Sequence, residues 1–144
     1  PIPGYTVSYF GDCSGRLNAG DIKTCTVINT ANPTANLIVK KHVINDNGGN
    51  ATSSVFTMSP QTFDTFQGGC TQGVNPTFYP SFKGSESGTN FHLHVNNEGS
   101  CYSVSEGYNT STIGEYEASH DGCIAVIKPG ETKTCTWTNN DSPN

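Results

Sequence analysis

Apolar positions along this chain recur in twos. Phe91-His92-Leu93-His94-Val95 alternates cleanly, and so does Cys101-Tyr102-Ser103-Val104-Ser105-Glu106, the pattern of strands with one face in a core and the other in water. Leu37 to Ile44 is rich in β-branched residues and gives way to Asn45-Asp46-Asn47-Gly48-Gly49-Asn50, a strong turn signal. Val55-Phe56-Thr57-Met58 reads as a further strand, and two more are expected near Tyr5 to Phe10 and Lys23 to Asn29, around a Gly-rich turn. Residues 59 to 90 lack a clean period. There Phe63, Phe66, Phe78, Tyr79 and Phe82 are scattered among Gly, Pro, Gln and Ser, so the stretch reads as an aromatic loop insertion with one or two short strands. No segment shows a helical period, and the expected fold is all-β, an antiparallel β-sandwich of about seven strands.

The same alternation puts three polar residues where a core should be. If Leu37, Val39 and Val43 point inward, Lys41 points inward with them. Tyr102 and Val104 carry Glu106 inward, and Cys135 and Trp137 carry Asn139. A buried lysine and glutamate are costly unless paired or neutralised. Burial lowers a lysine pKa and raises that of a glutamate, so the pair can hold a neutral amine beside a neutral acid. Such an amine can attack the carboxamide of Asn139, with the acid relaying protons, to expel ammonia and leave an isopeptide cross-link. The alternative is an ordinary ion pair snorkelling to the rim, with Asn139 ending its strand.

One stretch occurs twice. Residues 5 to 29 and 116 to 139 share their order, and Cys13 and Cys25 recur as Cys123 and Cys135, with Ala19-Gly20-Asp21 matched by Pro129-Gly130-Glu131 at the turn. The organisation expected is therefore a partial repeat over 1–30 (its last two strands), a Pro-containing linker over 31–36, and a complete sandwich over 37–141. Six cysteines allow fifteen connectivities. The repeat favours Cys13 with Cys25 and Cys123 with Cys135, which leaves Cys70 with Cys101. No spacing is of the short Cys-x₂₋₄-Cys kind that marks zinc, so disulfides and an oxidising, extracellular setting are expected.

Composition agrees with that setting. Of 144 residues 33% are hydrophobic and only 13% charged, and the net charge of −5 offers nucleic acid no basic patch. No apolar run reaches membrane-spanning length. Neither a cofactor motif nor a catalytic triad, phosphate loop or carboxylate pair stands out, and no turnover enzyme is expected.

Leu37-Ile-Val-Lys-Lys41 followed by Asn-Asp-Asn-Gly-Gly, Phe82-Lys-Gly-Ser-Glu-Ser-Gly-Thr, Tyr102-Ser-Val-Ser-Glu106 and Gly130-Glu-Thr-Lys-Thr-Cys-Thr-Trp-Thr-Asn139 resemble the prealbumin-like repeats of archaeal and bacterial surface proteins. Those repeats are similar to the Cna B-type (SpaA-like) domains of pilins and adhesin stalks. The resemblance covers 37–141 as a whole repeat and 1–30 as the tail of another. It implies an intramolecular Lys–Asn isopeptide, with Lys41, Asn139 and assisting Glu106 in the matching positions. Disulfides already brace this chain, the aromatic stretch departs from the pattern, and Lys40 and Asn140 offer a neighbouring register.

The surplus hairpin needs strands from elsewhere, since two strands alone are marginal in water. A neighbouring copy or an adjacent repeat would supply them, making the chain a cell-surface unit of a head-to-tail fibre, pilus or stalk, with Asn29 facing a lysine across the junction. The alternative is an adhesin module that binds glycan or a host protein through its aromatic insertion, Phe66 and Tyr79 included. A third reading is a stand-alone secreted domain. His92 and His94 share a strand face without an evident third metal ligand, and are expected to be exposed polar positions. Asn50, Asn109 and Asn140 fit the N-glycosylation sequon and fall in expected turns or near the terminus.

Overall fold

A computed structural model describes residues 5–143, with the backbone alone for Phe66 and residues 71–74. The chain forms two compact units, Pro1–Asn32 and Pro33–Asn144. In the first, β1 (Tyr5–Gly11) and β2 (Cys25–Ala31) form an antiparallel two-stranded sheet, with Gly11 opposite Cys25 and Tyr5 opposite Ala31. Cys13 and Cys25 are disulfide-bonded across its turn. Closing a loop of that size is worth roughly 3 kcal/mol in the chain-entropy account.

The second unit is a sandwich. Its strands are β3 (Thr34–Ile44), β4 (Thr57–Phe66), β5 (Gly69–Phe78), β6 (Phe82–Lys83), β7 (Thr89–His94), β8 (Ser100–Gly107), β9 (Tyr116–Asp121), β10 (Ile124–Ile127) and β11 (Thr132–Asp141). One sheet has the order β7-β3-β11-β9; the other has β10-β8-β4-β5, with β6 added beside β4. Most pairings are antiparallel, but β3 and β11 run parallel at the centre of the first sheet. Leu37, Val39, Leu93 and Cys135 from one sheet meet Met58, Tyr102, Val104 and Ile127 from the other, all buried. Burial of each large apolar side chain contributes about 1.5–3 kcal/mol. Cys123–Cys135 fastens β11 to the β9–β10 turn, and Cys70–Cys101 fastens β5 to β8.

Three sequence expectations are corrected. Strand β3 begins at Thr34, because Ala35 falls on the inward phase and Thr34, Ala35 and Asn36 already pair with β7. The linker shrinks from 31–36 to Asn32 and Pro33. Residues 59–90 are not a loop with short strands, for β4 and β5 are ten-residue strands of one long hairpin. The period was hidden because register shifts between Thr62, Asp64 and Phe66 break the alternation. A short helix, α1 (Thr110–Ile113), interrupts the stretch between β8 and β9, and a single 3-10 turn over Ser53–Val55 precedes β4, which begins at Thr57 and not at Val55.

The connection after β3 is pinned to the far end of β11. Asp141 accepts hydrogen bonds from the backbone N–H groups of Asp46 (2.9 Å), Asn47 (2.9 Å) and Gly49 (2.6 Å). Tyr116 donates its hydroxyl to Asn45 Oδ1 and accepts from the Ala51 N–H. Partial burial pushes the Asp141 carboxyl up, but the N–H groups of Gly49, Asn47 and Asp46 outweigh it and hold the pKa below the ordinary aspartate value. A depressed carboxylate pKa stabilises the fold above the unfolded-state value of about 3.9, and that stability is lost as pH falls through the folded value. Asp141→Asn should therefore unfold at lower denaturant than the parent at about pH 7, with the gap closing by about pH 2. Denaturation midpoints at the two pH values check this, and a gap that persists in acid would contradict it.

Candidate functional site

Strands β3, β8 and β11 each contribute one polar side chain to a single buried cluster. Lys41 and Asn139 are fully buried, and the side chain of Glu106 is 3% exposed. Lys41 Nζ donates to Asn139 Oδ1 at 2.9 Å and to the His42 carbonyl at 2.9 Å, and lies 3.4 Å from Glu106 Oε2. The alternation that buries Leu37 and Val39 accounts for Lys41, and parallel pairing with β11 sets Asn139 opposite Val43, two positions on. Glu106 reaches across from the opposite sheet.

Two residues close the site that the sequence pattern did not single out. The Phe56 ring lies under the ammonium position, 4.2 Å from Nζ to the centroid. Gly84 packs on the lysine stem, where a Cβ would come within 2.7 Å of Lys41 Cβ. The Lys41 N–H donates to the Ser85 carbonyl and the Gly84 N–H to that of Phe56, so the segment after β6 straps the stem down. Just beyond, Glu86 accepts from the Val43 N–H and contacts His42 Nδ1 at 2.9 Å. Gly84 lies inside the Phe82-Lys-Gly-Ser-Glu motif, so a signal existed; Phe56 carried none beyond its hydrophobicity.

Burial drives the Lys41 pKa down, against the opposing pull of the Glu106 carboxylate. Two atoms in the cluster are buried without a hydrogen-bond partner, Asn139 Nδ2 and Glu106 Oε2. The site thus sets an amine with a weakened hold on its proton against a carboxamide whose nitrogen nothing retains. Lys40 is exposed, and Asn140 has a buried Oδ1 without a hydrogen-bond partner, whereas Lys41 and Asn139 are hydrogen-bonded to each other.

The remaining candidates belong to other elements. Asn29 sits in β2 opposite Val7, exposed. Tyr79 and Phe82 pack on Phe91 and the core, and the Tyr79 hydroxyl accepts from the His94 N–H, so these aromatics are engaged internally while Phe78 is exposed. The Phe66 side chain is outside the described residues. His92 and His94 are exposed on β7, and among the described residues no three His, Cys, Asp or Glu side chains converge. Asn50 is exposed, and Asn109 caps α1, its Oδ1 accepting from the Ser111 N–H and hydroxyl. Asn140, near the terminus, lies within β11 between Ile44 and Glu117.

No protein-family model matches the chain, and no curated protein does. Among solved structures it is similar to a major pilin protein from one serotype of Streptococcus pyogenes, with 16% identity and a TM-score of 0.41 over 96% of this chain and 60% of that one. It is also similar to the major pilin from Streptococcus pyogenes in a second structure, with 16% identity and a TM-score of 0.35 over 98% of this chain and 66% of that one. The chain spans less than two thirds of the length of either pilin.

Proposed function

We propose that this chain is a structural unit of an extracellular fibre, pilus or surface stalk, built head to tail by strand complementation and braced by disulfides and an internal isopeptide. The observation that carries the reading is the bare hairpin. Tyr5, Tyr9 and Val27 are about half exposed or more on a sheet of only two strands, with Asn29 in the position that Asn139 holds in the sandwich. An apolar two-stranded sheet needs a third strand and a covering layer. A neighbouring copy or a preceding repeat supplies both in this reading, and a lysine there meets Asn29. The unit works at the cell surface, with Asn50 and Asn109 as the sterically open glycan positions.

Within the sandwich, the Lys41 amine attacks Cγ of Asn139. The Cγ–Nζ bond forms and the Cγ–Nδ2 bond breaks. Glu106 passes a proton from Nζ to the departing nitrogen, which leaves as ammonia. Expulsion removes the unpaired buried Nδ2, so the product satisfies the core better than the reactants do. Cross-linking happens once per chain and is not turnover.

Intact mass tests the chemistry. The oxidised chain should weigh about 23 Da less than its sequence, about 17 for ammonia and about 6 for the hydrogens of three disulfides. In Glu106→Gln the disulfide part should remain and the ammonia part should disappear; a parent chain short by only about 6 Da would overturn the cross-link.

Stability reads the same site independently. Lys41→Met strands a buried carboxylate and should be about 3–5 kcal/mol less stable than Lys41→Met with Glu106→Leu, which removes it; neither variant can cross-link, so their denaturation midpoints compare directly, and equal midpoints would contradict a buried charge at Glu106.

Assembly is read by hydrogen exchange. In dilute solution the amides on the outer edge of β2 should exchange freely and become protected as chains associate into filaments seen by electron microscopy. A monomer whose hairpin is already protected would sink the reading.

A further inference from the structure

The pair β1–β2 repeats β9–β11 residue by residue. Matching Gly11 to Gly122 and Cys25 to Cys135 sets Tyr5 on Tyr116, Ser8 on Ser119 and Asn29 on Asn139. The registers agree, for Val7 faces Asn29 as Ala118 faces Asn139, and Tyr9 faces Val27 as His120 faces Trp137. Gly11 and Gly122 take φ values of 81° and 69°, and each leaves no room for a Cβ against the Thr24 or Thr134 carbonyl.

What covers the two pairs differs in three places. Strand β11 has β3 along its other edge, in parallel, whereas β2 has no second neighbour in its sheet. Along β11, Cys135 and Asn139 are buried and Trp137 packs on the core, whereas their counterparts Cys25, Asn29 and Val27 are exposed. The third difference lies between the cysteines. After Cys123 the chain crosses to the opposite sheet as β10, pairs with β8 and buries Ile127 completely. The counterpart, Ser14-Gly15-Arg16-Leu17, is not a strand, and Leu17, in the place of Ile127, is 65% exposed.

We infer that the first unit is a three-part donor, and that its acceptor is a sandwich of this same kind lacking its own last three strands, the equivalent of residues 33–113. This rests on the fibre reading and specifies its junction. On docking, β2 adds in parallel to the acceptor's β3-type strand, so that Asn29 falls opposite the residue equivalent to Val43 and meets the lysine equivalent to Lys41. Residues 14–17 become a strand along the acceptor's β8-type edge, and Leu17 enters its core. One of the differences between the copies bears on the junction, since Ala31 stands where Asp141 anchors the turn after β3. The junction therefore lacks that anchor, and the acceptor's turn is left loose.

The test places a second copy of residues 33–113 ahead of residue 1 of the full chain and reads hydrogen exchange by mass spectrometry. Amides of β2 and of residues 14–17 should slow at least about a hundredfold relative to the unextended chain. Proteolysis should yield a peptide pair joining Asn29 to Lys41 of the added copy, about 17 Da below the sum of its parts. Leu17→Asp should remove protection at 14–17 while the second unit exchanges as before, and Ala31→Asp should slow the acceptor's turn. Protection of β2 with unchanged exchange at 14–17 would overturn the three-part donor and leave the fibre reading standing. No change anywhere in residues 5–31 would overturn the acceptor, even if unextended chains still associate by another route.

Discussion

A primary amine at the bottom of a β-sandwich sets conditions that the surrounding structure has to meet. Dehydrating an ammonium costs several kcal/mol, and only partners held at fixed distance offset it. Here the partners come from both sheets: a carboxylate from β8, a carboxamide from β11, a backbone carbonyl, and an aromatic face. Each is useful in one register alone. A slip of one residue in β3 would turn Lys41 to solvent and drive Lys40 into the core, so the buried amine specifies how the two sheets are set together.

The same logic orders the periphery. Gly84 exists where the strap passes over the lysine stem, and the strap in turn hangs from β3 and from the segment before β4 by backbone hydrogen bonds. At the far end of β11, Asp141 gathers the N–H groups of the turn that follows β3. The first and last strands of the sandwich are thus joined along their length by the ladder and again beyond Asn139 by the carboxylate. Disulfides tie what this leaves free, the β9–β10 turn and the start of β5.

Much of this was legible in the sequence, because alternation is a strong signal wherever one face is buried. It located β3, β7, β8 and β11 and the inward phase of Lys41, Glu106 and Asn139. It failed between residues 59 and 90, where irregular pairing of β4 with β5 shifts the phase and Tyr79 and Phe82, beyond β5, serve as packing around Phe91. It also could not show that β3 and β11 run parallel, since pairing direction follows from chain topology and leaves no local trace. The duplicated cysteines announced the repeat. The contrast between Ile127 and Leu17 became visible only when one copy proved covered and the other bare.

The parallel pairing of β3 with β11 has a mechanical corollary. Tension entering at Thr34 and leaving at Asp141 pulls two side-by-side strands along their own axes in opposite senses. Without a covalent link between them, the hydrogen bonds of the pair are loaded in shear together, where an antiparallel pair pulled from one end would unzip bond by bond. A sandwich wired in this way resists stretching between its first and last strands.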